Sequence, residues 1–326
     1  MNSYQGKIRT LRIAAIQVES QHGQIETNHA HATPLIEEAV HNGAEMVVLP
    51  ELFACGYVPN KTIWDYAEPK EGRTVTWLRE TSSRLGIYLG AGLVEVEGTD
   101  LFNDFVMTTP GGKVAGRARK ANAEACCFRR GRGNHIINTD IGKIGVGICA
   151  DNHFSAFPKL MQANFVDLML MPHAWPTLYR TSGLASEEDM LRMEKEMIGF
   201  APLYASLLGV PAVFVNAVGT MGRMPGLVGK LMNPGLFRLQ GLSRIVDLDG
   251  TLKGALGKKE GVLVSEVTLD PSRKQHKKPK DYGGWLHPGS ALLRKVIMPL
   301  DLAWSIVYYR FNLERRKKAM HISSLA

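Results

Sequence analysis

Only four cysteines, Cys55, Cys126, Cys127 and Cys149, occur in 326 residues, and two of them are adjacent. Neither a disulfide framework nor a CxxC metal knuckle can be assembled from that set, and such usage suits a reducing cytoplasm. The first residues, "MNSYQGKIRTLRIAAIQV", lack the apolar core and small-residue cleavage site of a secretory leader, and the stretch that follows reads as a strand. Long hydrophobic runs are missing too. The longest weakly charged one, residues 296–309, contains Pro299 and Asp301 and is too short to span a bilayer. No segment repeats at a fixed period. The body of the chain also lacks a charge excess. Of the formal net charge of +8, residues 272–326 hold +9, from twelve Lys or Arg against three Asp or Glu, which leaves −1 for residues 1–271. A nucleic-acid partner is therefore not expected.

What is present is a large apolar fraction, 45%, enough for a sizeable core. Strand-like runs alternate with helical patterns. "LRIAAIQV" (11–18) precedes a helix with Leu35, Ile36, Ala39 and Val40 on one side, then "AEMVVLP" (44–50), and a helix around 74–85. "IYLGAGLVEV", "LFNDFVMTTP", "GKIGVGIC", "VDLMLMP" and "VPAVFVNAVG" continue the series. Near-continuous apolar strands separated by helices imply an α/β body whose sheets are covered on their faces. "TPGGKVAG" (109–116) reads as a hairpin turn in which Gly111 and Gly112 are free to take positive φ.

Two segments break the pattern. Residues 219–242 are rich in Gly, Pro, Met and Leu without a helical or strand period, so they read as a long apolar loop, either packed on the surface or acting as a substrate lid. Residues 272–280, "SRKQHKKPK", read as a solvated basic linker to a C-terminal extension. Beyond Pro299, Leu302, Ile306, Tyr309 and Leu313 fall on one helical face, with Arg315, Arg316, Lys317 and Lys318 at its C-terminal end. That helix either packs on the body or a second subunit, or lies on an anionic membrane with Trp304 at the headgroup level. The division expected is 1–271 as the main domain and 272–326 as a basic, amphipathic extension.

Three residues stand at strand ends. Glu51 follows the apolar run and proline of "VVLPELFACGY"; alone it is a capping or loop residue as readily as a base. Lys120 closes "KVAGRARK" and by itself is one surface lysine among many. Cys149 in "IGVGICAD" ends a strand where a helix is expected to begin, with Gly145 and Gly147 allowing close backbone approach. Such a thiol is either a buried core residue or a nucleophile partly ionised by the helix N-terminus and a nearby cation.

Taken together, "LPELFACGY" with Glu51, "RKANAE" with Lys120 and Glu124, and "GVGICAD" with Cys149 resemble the Glu, Lys and Cys blocks of the nitrilase superfamily, the carbon-nitrogen hydrolases. Similarity continues through "VDLMLMPHAW" (166–175), "VPAVFVNAVG" (210–219) and "GLSRIVDLDGTL" (241–252), so it covers roughly residues 10–270 in order. Members often carry an arginine and a Pro-Glu pair after the cysteine block, where this chain has "NHFSAFPK" with His153 at the arginine's place.

The resemblance implies a four-layer αββα sandwich and a homodimer or larger homo-oligomer. It implies Cys149 as nucleophile, Glu51 as general base, and Lys120 with the Ala150 N–H as oxyanion donors. Glu124 would orient the lysine and substrate, unless it merely pairs with Arg129 or Arg130 at the surface. His153, His173 and Trp175 are expected to line the pocket, with a packed core role as the alternative for Trp175. No metal and no organic cofactor is called for. The expected activity is a thiol amidase that hydrolyses a non-peptide linear amide through a thioester. The alternative is an N-acyltransferase that passes the same acyl group to an amine, with a lipid-derived donor at a membrane surface. A non-catalytic scaffold has no use for all three residues. A nitrilase proper is less favoured, since that branch commonly has a Trp-Glu pair where Ala150 and Asp151 stand here. The partners expected are a small, apolar amide or acyl donor and, through residues 272–326, the inner face of an anionic membrane.

Overall fold

The computed structural model describes residues 7–183, 185–288 and 293–324. Residues 1–6 of the N-terminal stretch and 289–292 of the C-terminal run lie outside them. The first half of the chain builds one sheet and its cover: β1 (Arg9–Gln17), α1 (Ile25–His41), β2 (Met46–Val48), α2 (Arg73–Leu85), β3 (Tyr88–Glu97), β4 (Asp100–Thr108) and β5 (Val114–Arg119). The second half builds another: β6 (Ile136–Thr139), β7 (Gly142–Val146), α3 (Ala156–Ala163), β8 (Leu168–His173), β9 (Pro176–Leu178), α4 (Glu187–Leu208) and β10 (Ala212–Asn216). After them come β11 (Val218–Gly219), α5 (Gly226–Leu231), β12 (Phe237–Gln240), β13 (Arg244–Val246), β14 (Leu252–Ala255), β15 (Gly261–Leu269), α6 (Met298–Phe311) and α7 (Leu313–Ser323).

The strands pair as two six-stranded sheets, β15-β1-β2-β3-β4-β5 and β14-β13-β10-β8-β7-β6. Their inner faces meet through Ile13, Ala15, Met46, Val48, Phe105 and Met107 on one side and Ile144, Val146, Leu168, Leu170, Val213 and Val215 on the other. Alternate residues of the same strands point the opposite way. Ala14, Ile16, Val47 and Leu89 meet α1 and α2, while Met169, Met171, Ala212 and Phe214 meet α3 and α4. Each strand is thus buried on both faces, which is why its sequence reads as an unbroken apolar run. The four-layer αββα sandwich is the fold observed.

Of Gly111 and Gly112 at the turn of the 109–116 hairpin, only Gly112 has positive φ, at 71°. Residues 219–242 are not a featureless loop. They contain α5 and β12, and β12 pairs with both β11 and β9 in a small third sheet. The pairing is non-local, so no period in the segment itself announces it.

The stretch after residue 271 is not a solvated linker. Gln275 and Lys277 donate from their backbone to Leu208 and Leu207 at the end of α4, and Lys274 pairs with Asp167 at 2.6 Å. Trp285 bridges antiparallel to Phe154. Nor is the C-terminal run one amphipathic helix. Asn312 ends α6 and caps α7, its side chain accepting from the Arg315 amide at 3.0 Å. Tyr309 is buried, whereas Ile306 and Leu313 are 45% and 69% exposed. Arg315 is buried against Tyr309 and donates to the Thr99 carbonyl and to Asp100, which ties both helices to the β3–β4 turn. No helix among the described residues is long and apolar enough to cross a membrane.

Candidate active site

Glu51, Lys120 and Cys149 come from different strand ends and converge. Glu51 follows β2 at a tight turn where Leu52 has φ of 50°. Lys120 follows β5. Cys149 itself takes φ of 44°, in the left-handed region that costs a non-glycine residue roughly 1–3 kcal/mol. It starts a single 3-10 turn, Cys149–His153, rather than the α-helix expected; α3 begins only at Ala156. Asn152 fixes this turn, donating to the Gly147 carbonyl at 2.7 Å, and its side-chain oxygen occupies the place where a Cβ on Gly147 would stand. Gly147 therefore makes room for a side chain, not for a neighbouring backbone.

Lys120 is the hub. Its Nζ donates to Glu51 Oε1 at 2.6 Å and to Glu124 Oε1 at 2.9 Å. Glu51 Oε1 also accepts from Asn103 Nδ2 at 2.8 Å, and its Oε2 from the Ala174 amide at 2.9 Å. Tyr57 donates its hydroxyl to Glu124 Oε1 at 3.0 Å, leaving Glu124 Oε2 buried with no partner. Glu124 is thus held by Lys120 and Tyr57 and not by the surface arginines; Arg129 pairs with Asp100 instead. Asp151 accepts from the Asn122 amide at 2.8 Å and its side chain at 3.1 Å, locking the loop after Lys120 to the turn after Cys149.

Burial raises the Glu51 pKa, against the opposing pull of the Lys120 charge, and Glu124 raises it further. Burial also works against the Lys120 charge, but the Glu124 and Glu51 carboxylates outweigh it and hold the ammonium firmly protonated. The cysteine is the surprise. Burial first, then the Glu51 carboxylate, push the Cys149 thiol well above its ordinary value, and Lys120 only partly offsets them. The expected partial ionisation by a helix end and a cation does not arise, because the turn is too short to carry a dipole and the nearby cation is already shared by two carboxylates. A thiol in this setting needs a proton acceptor, and Glu51 is in contact with it.

Cys149 opens into a cavity of about 620 Å³. Its polar floor is Cys149, Glu124, Tyr57 and Asn122, with Ala150 beside the cysteine. Its walls are mostly apolar, with His153, Phe154, Trp175, Met224, Val228, Met232, Trp285, Met298, Pro299 and Leu302, while Arg130, Asp301 and Ser305 add polar groups to the lining. His153 sits edge-on to Trp175, ring centroids 4.5 Å apart, and burial keeps it neutral. Trp175 lines the cavity as expected. His173 does not. It is fully buried behind the site, with Nδ1 on the Met171 carbonyl at 2.8 Å and its ring against Phe214. It ends β8 on the face turned toward α4, and burial lowers its pKa to about 3. Among the described residues no group of three or more His, Cys, Asp or Glu is arranged to hold a metal ion.

Several participants were not foreseen. Asn103 and the adjacent Asp104 are polar residues inside an otherwise apolar strand, which is a readable sign of a buried polar partner. Tyr57 lies in the same block as Glu51, six positions on. The wall supplied by α5 lies in the 219–242 segment, for which a packed loop and a substrate lid were both open, whereas Trp285 and α6 carry no local signal, since they reach the site only through tertiary packing.

The carbon-nitrogen hydrolase family matches residues 12–277, and the chain belongs to it. It is 31% identical over 169 residues to a nitrilase of Pyrococcus abyssi, a match covering 50% of this chain and 64% of that one. It is 29% identical over 177 residues to the omega-amidase NIT2 of Danio rerio, covering 50% and 63%. The matched stretch thus spans somewhat under two thirds of each relative. A carbon-nitrogen hydrolase of Helicobacter pylori G27 shares the fold with a TM-score of 0.70 at 22% identity, over 81% of this chain and 90% of that one. Trp285 and the α6 wall lie beyond the part of the chain that the family covers.

Proposed function

We propose that the protein is a thiol amidase that hydrolyses a linear, non-peptide amide with an apolar substituent. One observation carries this reading: Lys120 bridges Glu51 and Glu124 beside Cys149 at the floor of an apolar cavity. The name of the omega-amidase relative is in keeping with it.

The Cys149 proton passes to Glu51 as sulfur attacks the amide carbon, and the carbonyl π electrons move to oxygen. Two of the three Lys120 N–H donors are taken by carboxylates, so the third is free for the oxyanion. The Ala150 amide lies in the first turn of the 3-10 segment, where backbone N–H groups have no intrahelical acceptor, and supplies a second donor. Each such donor is worth on the order of 3 kcal/mol in the transition state. The intermediate collapses with rupture of the C–N bond, and protonated Glu51 hands its proton to the departing amine. Water then enters, gives its proton to Glu51 and attacks the thioester. The C–S bond breaks, the carboxylic acid leaves, and sulfur regains its proton from Glu51. The unpartnered Glu124 Oε2 is placed to accept from the substrate N–H.

The test is intact mass spectrometry of the protein incubated with primary amides of increasing chain length, alongside assay of released ammonia. Amide turnover by the natural chain, absent in Cys149→Ala with the fold retained, is expected, together with a transient acyl adduct on the natural chain alone. Turnover that survives in Cys149→Ala, or neither adduct nor turnover with any of the amides, overturns the proposal.

A further inference from the structure

Helix α6 has apolar residues all the way round. Met298, Leu302 and Tyr309 point inward, and Met298, Pro299 and Leu302 line the cavity. On the outer side Leu300, Trp304, Ile306, Val307 and Phe311 are between 43% and 73% exposed. A helix apolar on every side belongs in a core or in contact with lipid, not half in water. The exposed strip runs on into α5. Asp301 accepts from the Leu227 and Val228 amides at 2.7 and 3.1 Å, which holds α5, with its exposed Leu227 and Leu231, against α6 where Gly226 meets Asp301 and Trp304. Seven exposed apolar residues thus stand on two helices packed against each other, and both helices also line the cavity, at Pro299 and Val228.

The charges around it are of one sign. Asp301 is turned inward as the α5 cap, which leaves Arg310 as the only charged residue on the outer arc of α6. On the same elements and the residues next to them, Lys230 of α5, Lys295 before α6, and Arg316 and Lys317 of α7 are exposed, and the one acid of α7, Glu314, is already paired with Lys61 and Lys318. A second copy of the chain seated on this face by a two-fold axis would bring that basic rim against itself. An anionic lipid surface complements both the rim and the apolar strip.

We propose that the outer faces of α5 and α6 dock on an anionic lipid bilayer, with Trp304 at headgroup depth and the mouth of the cavity beside the membrane. The protein lies on the surface without crossing it. The docking itself does not depend on the amidase reading. An amide carrying an acyl chain would then reach Cys149 from the lipid side, and this further step does rest on that reading.

The experiment uses the full chain, co-sedimented with vesicles of phosphatidylcholine alone or mixed with phosphatidylglycerol. Binding to the mixed vesicles, weak binding to the neutral ones and release by salt are expected. Val307→Asp with Phe311→Asp, both on exposed positions, should lower partitioning by about ten-fold or more. Arg310→Glu with Lys317→Glu should remove the preference for anionic lipid while leaving the apolar strip intact. Circular dichroism and turnover of a small soluble amide are followed in parallel, so that loss of docking is told apart from loss of the catalytic reading. The proposal is overturned if the natural chain does not bind anionic vesicles, or if both double variants bind as it does. It is also overturned if Val307→Asp with Phe311→Asp dissociates a homo-oligomer that shows no vesicle binding, which would make this face a subunit contact.

Discussion

Gly92 leaves no room for a side chain against Glu51. A Cβ there would lie 2.8 Å from the Glu51 Cα and nearer still to the Leu52 amide nitrogen. The Gly92 amide meanwhile donates to the Pro50 carbonyl at 3.1 Å, and its carbonyl accepts from Ala54 at the same distance. The central strand β3 is thus the mould in which the Glu51 turn is cast. Gly92→Ala should push the carboxylate out of line with Cys149. A displacement near 1 Å costs on the order of 10²-fold in rate. Steady-state kinetics and a thermal melt check this, with the exposed Gly199→Ala inside α4 as a control that should leave kcat/KM unchanged and raise the melting temperature slightly, since nothing lies within 4 Å of its added Cβ.

The pH profile should be broad and one-sided. Acylation needs Glu51 ionised, and burial raises its pKa, so kcat/KM climbs with pH through a midpoint above the ordinary range for a glutamic acid. That midpoint belongs to the Glu51–Lys120–Glu124 set as a whole. Lys120 and Cys149 are both held well above their ordinary values, so the plateau extends into alkaline solution before either loses its proton. Glu51→Gln should lower the rate by about 10²- to 10⁴-fold and abolish the acid limb. Alkylation of Cys149 by iodoacetamide should slow in the same variant, because the thiol loses its proton acceptor. Equal alkylation rates in both proteins would refute that coupling.

Tyr57 and Lys120 both donate to Glu124 Oε1, so the two together fix the carboxylate. Tyr57→Phe removes one buried hydrogen bond, worth about 1 kcal/mol of stability. With Glu124 free to turn, kcat/KM should fall by about ten-fold while the melting temperature drops by only a few degrees. Glu124→Gln should be more severe, since it also strips Lys120 of one of the two carboxylates that fix it. Comparing the two variants on one substrate separates positioning of the lysine from contact with the amide.

Asp301 joins the two helices that wall the cavity. Asp301→Ala removes the cap of α5, a loss of roughly 0.5–2 kcal/mol, and lets α5 move away from α6. KM for amides with long apolar groups should rise, while kcat for a small amide such as propionamide stays unchanged. A matching fall in kcat for the small amide would mean that the helices support the catalytic turn itself.

The convergence of Glu51 and Cys149 was legible because each follows an apolar strand, and strands are the elements a sequence announces best; Lys120 follows the half-exposed, arginine-bearing β5 and was legible only through its resemblance to the family's lysine block. Two sheets packed face to face then bring strand ends together whatever the intervening loops do. His173 shows the limit. It also ends a strand, but the side-chain alternation of β8 turns it toward α4 and Phe214, and a run apolar on both faces gives no clue to which way its last residue points. The thiol's environment was likewise hidden, since it depends on burial and on a carboxylate about a hundred positions away. In the C-terminal run the helical period was real, but Asn312 interrupts it, and Tyr309 and Ile306 part company because α6 has something to pack against on one side only.

The groups assigned to bond breaking come from residues 51–151, whereas much of the cavity wall comes from residues 224–232 and 285–305. The Leu286 amide beside Trp285 bonds to the His153 carbonyl of the Cys149 turn, so the part of that wall set apart from the Glu51–Lys120–Cys149 arrangement is α5 and α6. A lineage can therefore drift among substrates by remodelling two short helices while the strand ends around Cys149 keep their sequence.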